Sequence, residues 1–334
     1  MSTLVFLGKL WYSQWFVSLP VPTESFKDKT VIVTGSNQGL GFEAAKHIVR
    51  LGAAKLIVAV RSIEKGEEAK AEIVSATKCK PDVVEVWHLD LASYDSVKAF
   101  AKKCEALNRL DVLLENAGIQ KTTFTMAEGN ETTITVNVVS TYLLALLLLP
   151  KLKDTARRFN THPHLVIVSS EVHNLTTISE RKAAAKQFNG QIFAALNSKK
   201  ATNQTDRYNV SKLLEVFVTR QIVADYMSGS QYPVIMNYVS PGFCHSSLMR
   251  EVGFIQYVLK AIMGARTTEQ GSRTLVHAAF AGPTSHGQYM HNCAVDEPSS
   301  FVRSKEGAEV QAKVWQELSE KLEKIQPGIL KNLS

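Results

Sequence analysis

Tyr208 and Lys212 are the two residues whose types and spacing most directly suggest chemistry. Four residues apart on a predicted helix, they would share one face, close enough for the ammonium to lower the pKa of the phenol. Tyr94 and Lys98 repeat the spacing, so the pattern alone is weak, and we interpret that second pair as a solvated helix pair. Tyr208 differs because the strand predicted before its helix ends at Ser170, which supplies a hydroxyl partner.

A glycine-rich segment follows the first predicted strand and opens the first predicted helix. It comprises Gly35, Ser36, Asn37, Gln38, Gly39, Leu40 and Gly41. At such a place a diphosphate can bind the backbone N–H groups at the positive end of the helix. Gly35 would permit the tight turn, Gly39 the close approach of a phosphate, and Gly41 the packing of helix on strand. The spacing is GxxxGxG rather than GxGxxG, so a plain connecting loop remains the alternative.

Acidic and small residues end two further predicted strands. Asp90 and Leu91 follow the third strand, where the carboxylate could accept a hydrogen bond from an adenine amino group. Asn116, Ala117 and Gly118 follow the fourth strand, where small side chains would let the chain pass a cofactor. Each signal is weak alone, because such residues commonly end strands. Their position matters because ligands of open α/β sheets bind beyond the carboxyl ends of the strands.

Short β-branched runs alternate with amphipathic stretches from Lys29 onward, and this alternation predicts the elements that position the residues above. Strands are predicted at Thr30–Val33, Lys55–Val60, Val83–His88, Asp111–Leu114, Leu165–Val168, Val234–Val239 and Gly287–Met290. Helices are predicted at about 40–51, 63–76, 93–107, 130–149, 206–228, 267–280 and 306–324. The pattern predicts an α/β fold with a doubly wound parallel sheet of about seven strands in a single domain.

The domain is expected to span residues 28–334, after an N-terminal apolar arm or helix at residues 1–27. The arm carries aromatic side chains over residues 4–21, interrupted by Lys9, and is too short and mixed for a membrane span. It either packs on the body of the protein or makes a peripheral membrane contact through its aromatics. The apolar stretch at 130–149 is expected to stop at Pro150 and to be a buried helix.

Composition narrows the function classes. The 334 residues include 38 Lys plus Arg and 31 Asp plus Glu, a net charge of +7. The basic residues occur only as scattered pairs, with no stripe interleaved with aromatics, which argues against a nucleic-acid partner. The four cysteines stand in neither a zinc-ligand nor a disulfide-framework spacing, so no metal is expected. An intracellular, cytoplasmic location fits this cysteine usage.

These residues together carry a resemblance. The chain resembles the short-chain dehydrogenase/reductase family over about residues 28–290, on an ordered set of motifs: TGxxxGxG at 34–41, Asp90, NAG at 116–118, Asn137, Ser170, YxxxK at 208–212 and Pro241-Gly242. Further residues resemble the retinol-dehydrogenase-like branch, which also contains microbial ketoreductases of secondary metabolism: AVRS at 59–62, KGE at 65–67 and VSS at 168–170 followed by His173. The sequence departs from the family pattern at Glu115, where the motif usually reads NNAG, and at Ser246, where a threonine is usual.

The resemblance implies a Rossmann fold and assigns four catalytic residues. Tyr208 would be the general acid/base for hydride transfer to or from a nicotinamide. Lys212 would hold the nicotinamide ribose and lower the pKa of Tyr208, and Ser170 would hydrogen-bond the substrate oxygen. Asn137 would anchor a water that links Lys212 to solvent, with a structural hydrogen bond as the alternative. His173 and His245 are interpreted as loop residues, because Tyr208 already fills the acid–base role.

The resemblance also implies that the glycine segment, Asp90, Leu91, residues 116–118, Tyr208, Lys212, Pro241, Gly242 and Ser246 bind the cofactor. Its identity can be argued from Arg61, which follows the second predicted strand. A protein that prefers NAD usually places Asp or Glu there for the ribose 2′-hydroxyl, whereas a guanidinium offers donors to a 2′-phosphate. We therefore expect NADP(H), with Asn37 adding a hydrogen bond. A solvated surface role for Arg61 and a turn-stabilising role for Asn37 are the alternatives.

Two segments are expected to shape the substrate site. Residues 171–207 are longer than the family's minimal pattern, and Ser179 to Lys182 before an alanine run suggest a capped helix there. Residues 243–266 carry more apolar side chains than one buried helical face needs, so they form either a lid over an apolar substrate or a core or homodimer face.

The resulting expectation is an NADP(H)-dependent ketoreductase that interconverts a carbonyl and an alcohol on a hydrophobic small molecule. The alternative is a catalytically silent nucleotide-binding module that acts through protein partners.

Overall fold

The computed structural model describes residues 3–229, 232–245 and 264–334. Ten strands are present in these ranges: β1 Thr30–Thr34, β2 Lys55–Val60, β3 Val84–His88, β4 Val112–Glu115, β5 Met126–Ala127, β6 Asn130–Glu131, β7 His164–Val168, β8 Ile235–Ser240, β9 Tyr289–His291 and β10 Ala294–Asp296. The α-helices are α1 Thr3–Phe16, α2 Gly39–Arg50, α3 Ile63–Thr77, α4 Tyr94–Cys104, α5 Thr132–Phe159, α6 Arg181–Gln187, α7 Ile192–Leu196, α8 Arg207–Tyr226, α9 Thr268–Ala278 and α10 Lys305–Ile325. Short 3₁₀ turns lie at Pro81–Val83, Glu171–Leu175, Pro283–Ser285 and Ile329–Leu333.

One eight-stranded sheet forms the centre of the molecule, in the order β10-β9-β8-β7-β4-β1-β2-β3. In this sheet, each pair of neighbouring strands is parallel except the last, in which β10 pairs antiparallel with β9. The short strands β5 and β6 form a separate antiparallel hairpin. The chain builds outward from β1 through β2 to β3, then returns to β4 on the other side of β1. This reversal between β1 and β4 creates the crevice at which ligands of open α/β sheets bind. The doubly wound parallel sheet in a single domain is thus confirmed.

Helices cover both faces of the sheet because the strands are apolar on both sides. Along β1, Val31 and Val33 point into the core formed with α2 and α9, and Ile32 points into the opposite core formed with α4, α5 and α8. All three side chains are fully buried. The β-branched runs of the sequence therefore become central strands, with their carboxyl ends held rigidly at one edge.

Helix α5 differs from the prediction that it stops at Pro150. It contains a π-helical stretch, Thr135–Ser140, and then continues through Pro150 to Phe159. Pro150 lies on the exposed side, where one missing N–H is tolerated, and the buried Leu152 and Ala156 beyond it hold the last turns in place. The helix is long and apolar enough to cross a membrane by composition, but 89% of its most apolar window is buried inside the protein, as predicted for a core helix.

The N-terminal helix α1 packs on the body along one side. Phe6 and Ser13 are buried, and Nη2 of Arg266 donates to the carbonyl oxygen of Ser13 at 2.8 Å. The other side exposes large apolar residues: Leu7, Trp11, Tyr12, Trp15 and Phe16. Helix α1 therefore packs on the body through one face and leaves an aromatic face exposed.

The segment 171–207 forms two short helices, α6 and α7, that pack beside α10. A helix is present where the alanine run predicts one, but its first turn is not capped by a side chain of Glu180. The fully buried guanidinium of Arg207 instead lies between Glu180, at 3.3 Å, and Glu131, at 3.6 Å. This buried ion cluster ties the segment to the start of α5 and α8. The apolar residues expected to form a lid or dimer face at 246–263 lie outside the described residues.

Candidate active site

The glycine segment forms the turn from β1 into α2, at the crevice where the strand order reverses. Gly35 and Gly39 both have φ of +65°, a left-handed conformation that L side chains rarely adopt. A Cβ on Gly41 would lie 2.4 Å from Nδ2 of Asn116 and 2.9 Å from the carbonyl oxygen of Gly35. The side chain of Gln38, the N-cap residue, does not hydrogen-bond the first turn of α2. The turn thus presents a close-packed backbone and a positive helix end to the crevice.

The Asn-Ala-Gly segment after β4 lies against this turn. Nδ2 of Asn116 donates to the carbonyl oxygen of Thr34 at 2.9 Å, and the N–H of Ala117 donates to Oγ1 of Thr34 at 2.9 Å. A Cβ on Gly118 would lie 3.4 Å from Oδ1 of Asn137 and 3.7 Å from Nζ of Lys212. The segment therefore connects the glycine turn with the residues predicted to be catalytic.

Tyr208, Lys212 and Ser170 meet at the carboxyl end of β7. Tyr208 lies in the first turn of α8, and Nζ of Lys212 lies 5.7 Å from the centroid of its ring. Burial raises the pKa of Tyr208 and Glu215 adds to this, while Lys212 and a hydrogen bond with Ser170 lower it, and the resulting pKa is raised. The phenol consequently holds its proton at neutral pH, and the hydroxyl of Ser170 lies beside it.

Lys212 is buried and makes two strong hydrogen bonds. Its Nζ donates to the carbonyl oxygen of Val168 and to Oε1 of Glu215, both at 2.8 Å. Burial lowers the pKa of Lys212, but Glu215 and Tyr208 outweigh this effect and the pKa is raised. The sequence reasoning missed Glu215, although its position three residues after Lys212 on the same helix was a usable signal. Glu115, noted as a departure from the family motif, ends β4 and is also buried.

Asn137 lies fully buried in the π-helical stretch of α5. Its Oδ1 accepts from the N–H of Ile119 at 2.8 Å, and its Nδ2 donates to the carbonyl oxygen of Ile119 at 2.9 Å and to Oγ of Ser211 at 3.0 Å. The side chain thus makes the structural hydrogen bonds that the sequence left open, and it joins the segment after β4 to α8.

The other predicted cofactor-binding residues lie along the same edge of the sheet. Oγ of Ser36 donates to the carbonyl oxygen of Val33 at 2.8 Å, and Oδ1 of Asp90 accepts from the N–H of Ala92 at 2.9 Å. These contacts leave the Ser36 backbone and the second Asp90 oxygen for a ligand. The remaining positions are Asn37 and Leu40, both half-buried in or beside the turn, the buried Leu91 after β3, the exposed Arg61 after β2, and Pro241 and Gly242 after β8. Ser246 lies outside the described residues.

The interpretation of Tyr94 and Lys98 as a solvated pair is wrong for Tyr94. Its ring is buried in the core, and its hydroxyl accepts from Nδ2 of Asn130 at 2.9 Å. Lys98 pairs instead with Asp95. The error arose because α4 turns its first residue inward, against the β5–β6 hairpin. Among the described residues Tyr94 has no cationic partner, which distinguishes it from Tyr208.

His173 is structural, whereas His245 lies on an exposed loop. Nδ1 of His173 lies 2.7 Å from the carbonyl oxygen of Ser170, and Nε2 accepts from the N–H of Ser299 at 3.1 Å. Burial lowers the pKa of His173 to about 4, so the ring is neutral at physiological pH. The neutral ring fixes the backbone of Ser170 and thereby the hydroxyl that faces Tyr208.

The arrangement can hold a dinucleotide and transfer a proton. Diphosphate binding fits the turn before α2, because the left-handed glycines and the close approach at Gly41 leave backbone rather than side chains facing the crevice. Arg61, at the end of β2, lies next to β1 and its turn. Tyr208 supplies a protonated hydroxyl, and Lys212 a fixed ammonium, at the neighbouring strand ends. Among the described residues, no cluster of His, Cys, Asp and Glu could hold a metal ion.

The chain is similar in sequence to known proteins of one family. Residues 29–175 match the family model described as short chain dehydrogenase. The chain is 51% identical over 324 residues to the short chain dehydrogenase/reductase dmxR8 of Cryptosporiopsis sp. (strain 8999), covering 96% of this chain and 98% of that protein. It is 41% identical over 338 residues to the short-chain dehydrogenase anuD of Penicillium roqueforti (strain FM164), covering 98% and 85%.

Solved structures are similar as well. An uncharacterized protein from Mycobacterium paratuberculosis superposes with a TM-score of 0.65 at 27% identity, covering 90% of this chain and 96% of that chain. The active-site complex of Pseudomonas aeruginosa RhlG with NADP superposes with a TM-score of 0.60 at 20% identity, covering 81% and 96%, which shows a shared fold.

Proposed function

The chain belongs to the short-chain dehydrogenase/reductase family, and from this premise we propose that it is an NADP(H)-dependent ketoreductase. It would interconvert a carbonyl and an alcohol on a hydrophobic small molecule, with reduction as the cellular direction. The observation that carries the proposal is the meeting of Tyr208, Ser170 and Lys212 at the carboxyl ends of the strands, next to a glycine turn that suits a diphosphate. These intact groups argue against a catalytically silent nucleotide-binding module.

Ser170, Tyr208 and Lys212 have distinct roles in the proposed reaction. The bound cofactor supplies the hydride. Ser170 donates a hydrogen bond to the carbonyl oxygen and orients it, and Tyr208 gives its hydroxyl proton to that oxygen as negative charge develops there. Lys212 stabilises the phenolate that remains, because its ammonium is fixed by Val168 and Glu215. The Tyr208 hydroxyl is protonated at neutral pH, as a proton donor to the carbonyl oxygen must be.

The choice of NADP(H) over NAD(H) rests on Arg61. Its exposed side chain follows β2, the strand beside β1, and no carboxylate stands at that place in the sequence. A guanidinium there would bind a ribose 2′-phosphate that a carboxylate would repel. The structure of RhlG, which shares the fold, contains NADP.

The proposed substrate class rests on the apolar composition of the segment expected to line the substrate site. Residues 243–266 are rich in apolar side chains, which supports a hydrophobic substrate. We place the reaction in secondary metabolism and in the cytoplasm, with support for a reducing compartment from the four cysteines, all of which are free. A homodimer through residues 243–266 and peripheral membrane contact through residues 4–21 are the partner proposals.

The direct test compares the protein with its Tyr208→Phe variant, by following NADPH consumption over a panel of apolar ketones, aldehydes and quinones. The variant keeps the ring and loses only the hydroxyl, so turnover should fall at least about 100-fold while NADPH affinity changes little. Near-normal turnover by the variant would refute the assignment, and absence of turnover by the unmodified protein over the whole panel would favour the silent module.

Tyr94→Phe is the matched control for this substitution. It deletes a hydroxyl that accepts a hydrogen bond from Asn130, whose Nδ2 also donates to the carbonyl oxygen of Glu128. The control should therefore lose about 1 kcal/mol of stability and keep its turnover.

A further inference from the structure

Two buried carboxylates lie behind Tyr208 and Lys212. Glu115 ends β4, and Glu215 lies one turn after Lys212 on α8, with 3% and 2% of their surfaces exposed. Oε2 of Glu215 and both carboxyl oxygens of Glu115 have no hydrogen-bond partner among the described residues. A buried carboxylate without partners lowers stability. Within the described part of the chain, Glu115 has no partner and Glu215 has one, Lys212, so stability does not explain why both carboxyl groups are buried beside the reaction centre.

Glu215 determines where the Lys212 ammonium lies. An ammonium has three N–H donors, and two of them are directed to the carbonyl oxygen of Val168 and to Oε1 of Glu215, each at 2.8 Å. The third donor is left for the crevice. Since Val168 alone would leave Nζ free to turn, the carboxylate of Glu215 is the contact that fixes it on the side of Tyr208.

Glu215 also changes the electrostatic potential at the Tyr208 hydroxyl. The ionisable groups around its carboxylate are Lys212 and Tyr208 on α8, Glu115 from β4 and Tyr142 from α5, whose hydroxyl donates to the Glu215 carbonyl oxygen at 2.6 Å. The positive charge of Lys212 lowers the pKa of Tyr208, and the negative charge of Glu215 raises it. The two charges therefore act in opposition on the phenol.

The two carboxyl groups differ in their protonation. Burial raises the pKa of Glu215 to about 7, although the charge of Lys212 and the hydrogen bond from its ammonium act to lower it. Burial and the neighbouring Glu215 raise the pKa of Glu115 well above its usual range, so Glu115 is neutral. Glu215 is thus the member of the pair that ionises near neutral pH.

We propose that Glu215 is a positioning residue of the reaction, whose carboxylate fixes the Lys212 ammonium and offsets its charge so that Tyr208 keeps its proton and the site favours carbonyl reduction. The inference rests on the proposed function. In the reductive step the hydride bonds to the carbonyl carbon, the Tyr208 proton bonds to the oxygen, and the resulting phenolate later regains a proton from solvent. By holding that proton to higher pH, Glu215 keeps the site in its proton-donating form.

The test is the Glu215→Gln variant, which preserves shape and removes the charge. With Lys212 no longer offset, Tyr208 should release its proton more readily, so the pH at which alcohol oxidation is half-maximal should fall by about one unit. The alkaline decline of carbonyl reduction should fall in parallel. If turnover drops equally at every pH and the midpoints stay in place, Glu215 is only structural and the proposal is wrong.

A second readout does not depend on turnover. Tyrosinate absorbance is titrated without cofactor, and the signal of Tyr208 is taken as the difference between each protein and the same protein carrying Tyr208→Phe. The titration midpoint should be lower in the Glu215→Gln background. If the midpoint shifts but the protein turns over no carbonyl, the proposed function is refuted and the coupling of Glu215 to Tyr208 still holds. If the protein turns over carbonyls but the midpoint does not shift, the coupling is refuted and the proposed function still holds.

Glu115→Gln is the matched control, because it replaces a carboxyl that is already neutral. Its Tyr208 midpoint should stay unchanged, and a shift as large as that of Glu215→Gln would contradict the assignment to Glu215. The shorter carboxylate of Glu215→Asp retains the charge and should restore most of the midpoint. If Glu215→Gln does not fold, Glu215→Met carries the same test, since it removes the charge and needs no hydrogen-bond partner.

Discussion

At the scale of single residues, the proton on Tyr208 depends on a balance of opposing effects. Burial and Glu215 hold it, whereas Lys212 and the hydroxyl of Ser170 favour its release. Because the balance favours the protonated phenol, the resting site is prepared to give a proton rather than to take one. Carbonyl reduction needs this protonated form, whereas alcohol oxidation needs the phenolate, which forms only when Tyr208 loses its proton.

Arg61 supports the corresponding prediction for the cofactor. Arg61→Asp should weaken NADPH binding by about 10- to 100-fold relative to NADH, because a charge-assisted hydrogen bond contributes about 1.5–3 kcal/mol and a carboxylate adds repulsion. Fluorescence titration of both cofactors measures the ratio. Arg157→Asp is the control, since Arg157 lies near the end of α5, just before β7 begins, at the opposite edge of the sheet. Tighter binding of NADH than of NADPH by the unmodified protein would show that Arg61 does not select the cofactor.

The site residues that the sequence reveals are those whose signal lies in local spacing. Tyr208 and Lys212 are one turn apart, and the glycine turn directly joins a strand to a helix. Glu215 raises the pKa of Glu115 only because β4 and α8 meet in space, 100 residues apart in the chain, which no local pattern encodes. Tyr94 was misjudged for a related reason, since burial against a later hairpin depends on tertiary packing.

At the scale of elements, the junction of β1 and α2 offers a sharp test of the predicted diphosphate site. In Gly41→Ala the new Cβ would meet Nδ2 of Asn116 at 2.4 Å, so the Asn116 side chain must leave the carbonyl oxygens of Thr34 and Gly35. We expect a loss of about 1–3 kcal/mol in stability and at least a roughly tenfold weaker NADPH affinity. Thermal unfolding and cofactor titration provide the measurements.

Gly8→Ala in α1 is the control for this substitution. Both glycines lie within helices, and a Cβ on Gly8 would meet no atom within 4 Å. Helix propensity alone would make either substitution stabilising, by up to about 1 kcal/mol. The control should follow that expectation and bind NADPH normally. If Gly41→Ala behaves in the same way, the tight packing at the turn is not needed for cofactor binding.

The strands that the sequence pattern predicts well are those buried on both faces of the sheet. Seven strands of the main sheet coincide with β-branched runs, and β1 and β2 agree with the prediction to within one residue. β10 escaped prediction because it has three residues, all exposed, and pairs antiparallel at the edge. The final turns of α5 were not predicted because Pro150 was expected to end the helix. A proline on the solvent side costs only one hydrogen bond, and the burial of Leu152 and Ala156 stabilises the helix beyond it.

At the scale of the whole molecule, α1 brings an exposed aromatic face to the edge of the sheet that carries the site. Arg266 donates to the carbonyl oxygen of Ser13 and to Oδ1 of Asn292, which fixes the helix. A Cβ on Gly242, two residues after β8, would lie 3.1 Å from the side-chain amide of Gln14. An apolar substrate dissolved in a lipid surface would therefore lie near the crevice if α1 contacts that surface.

This geometry predicts that the protein binds lipid vesicles through α1, aided by its net charge of +7 on anionic lipids. Trp11 and Phe16 are 44% and 63% exposed, and replacing both by Gln should reduce the vesicle-bound fraction in sedimentation at least about tenfold, since each aromatic contributes about 1.5–3 kcal/mol when buried. Turnover of a water-soluble carbonyl should be unchanged. Met126→Gln, at a residue 50% exposed on the β5–β6 hairpin, is the control and should bind vesicles normally. Equal binding by all three proteins, or a change of oligomeric state confined to the α1 variant, would instead assign the aromatic face to a protein contact.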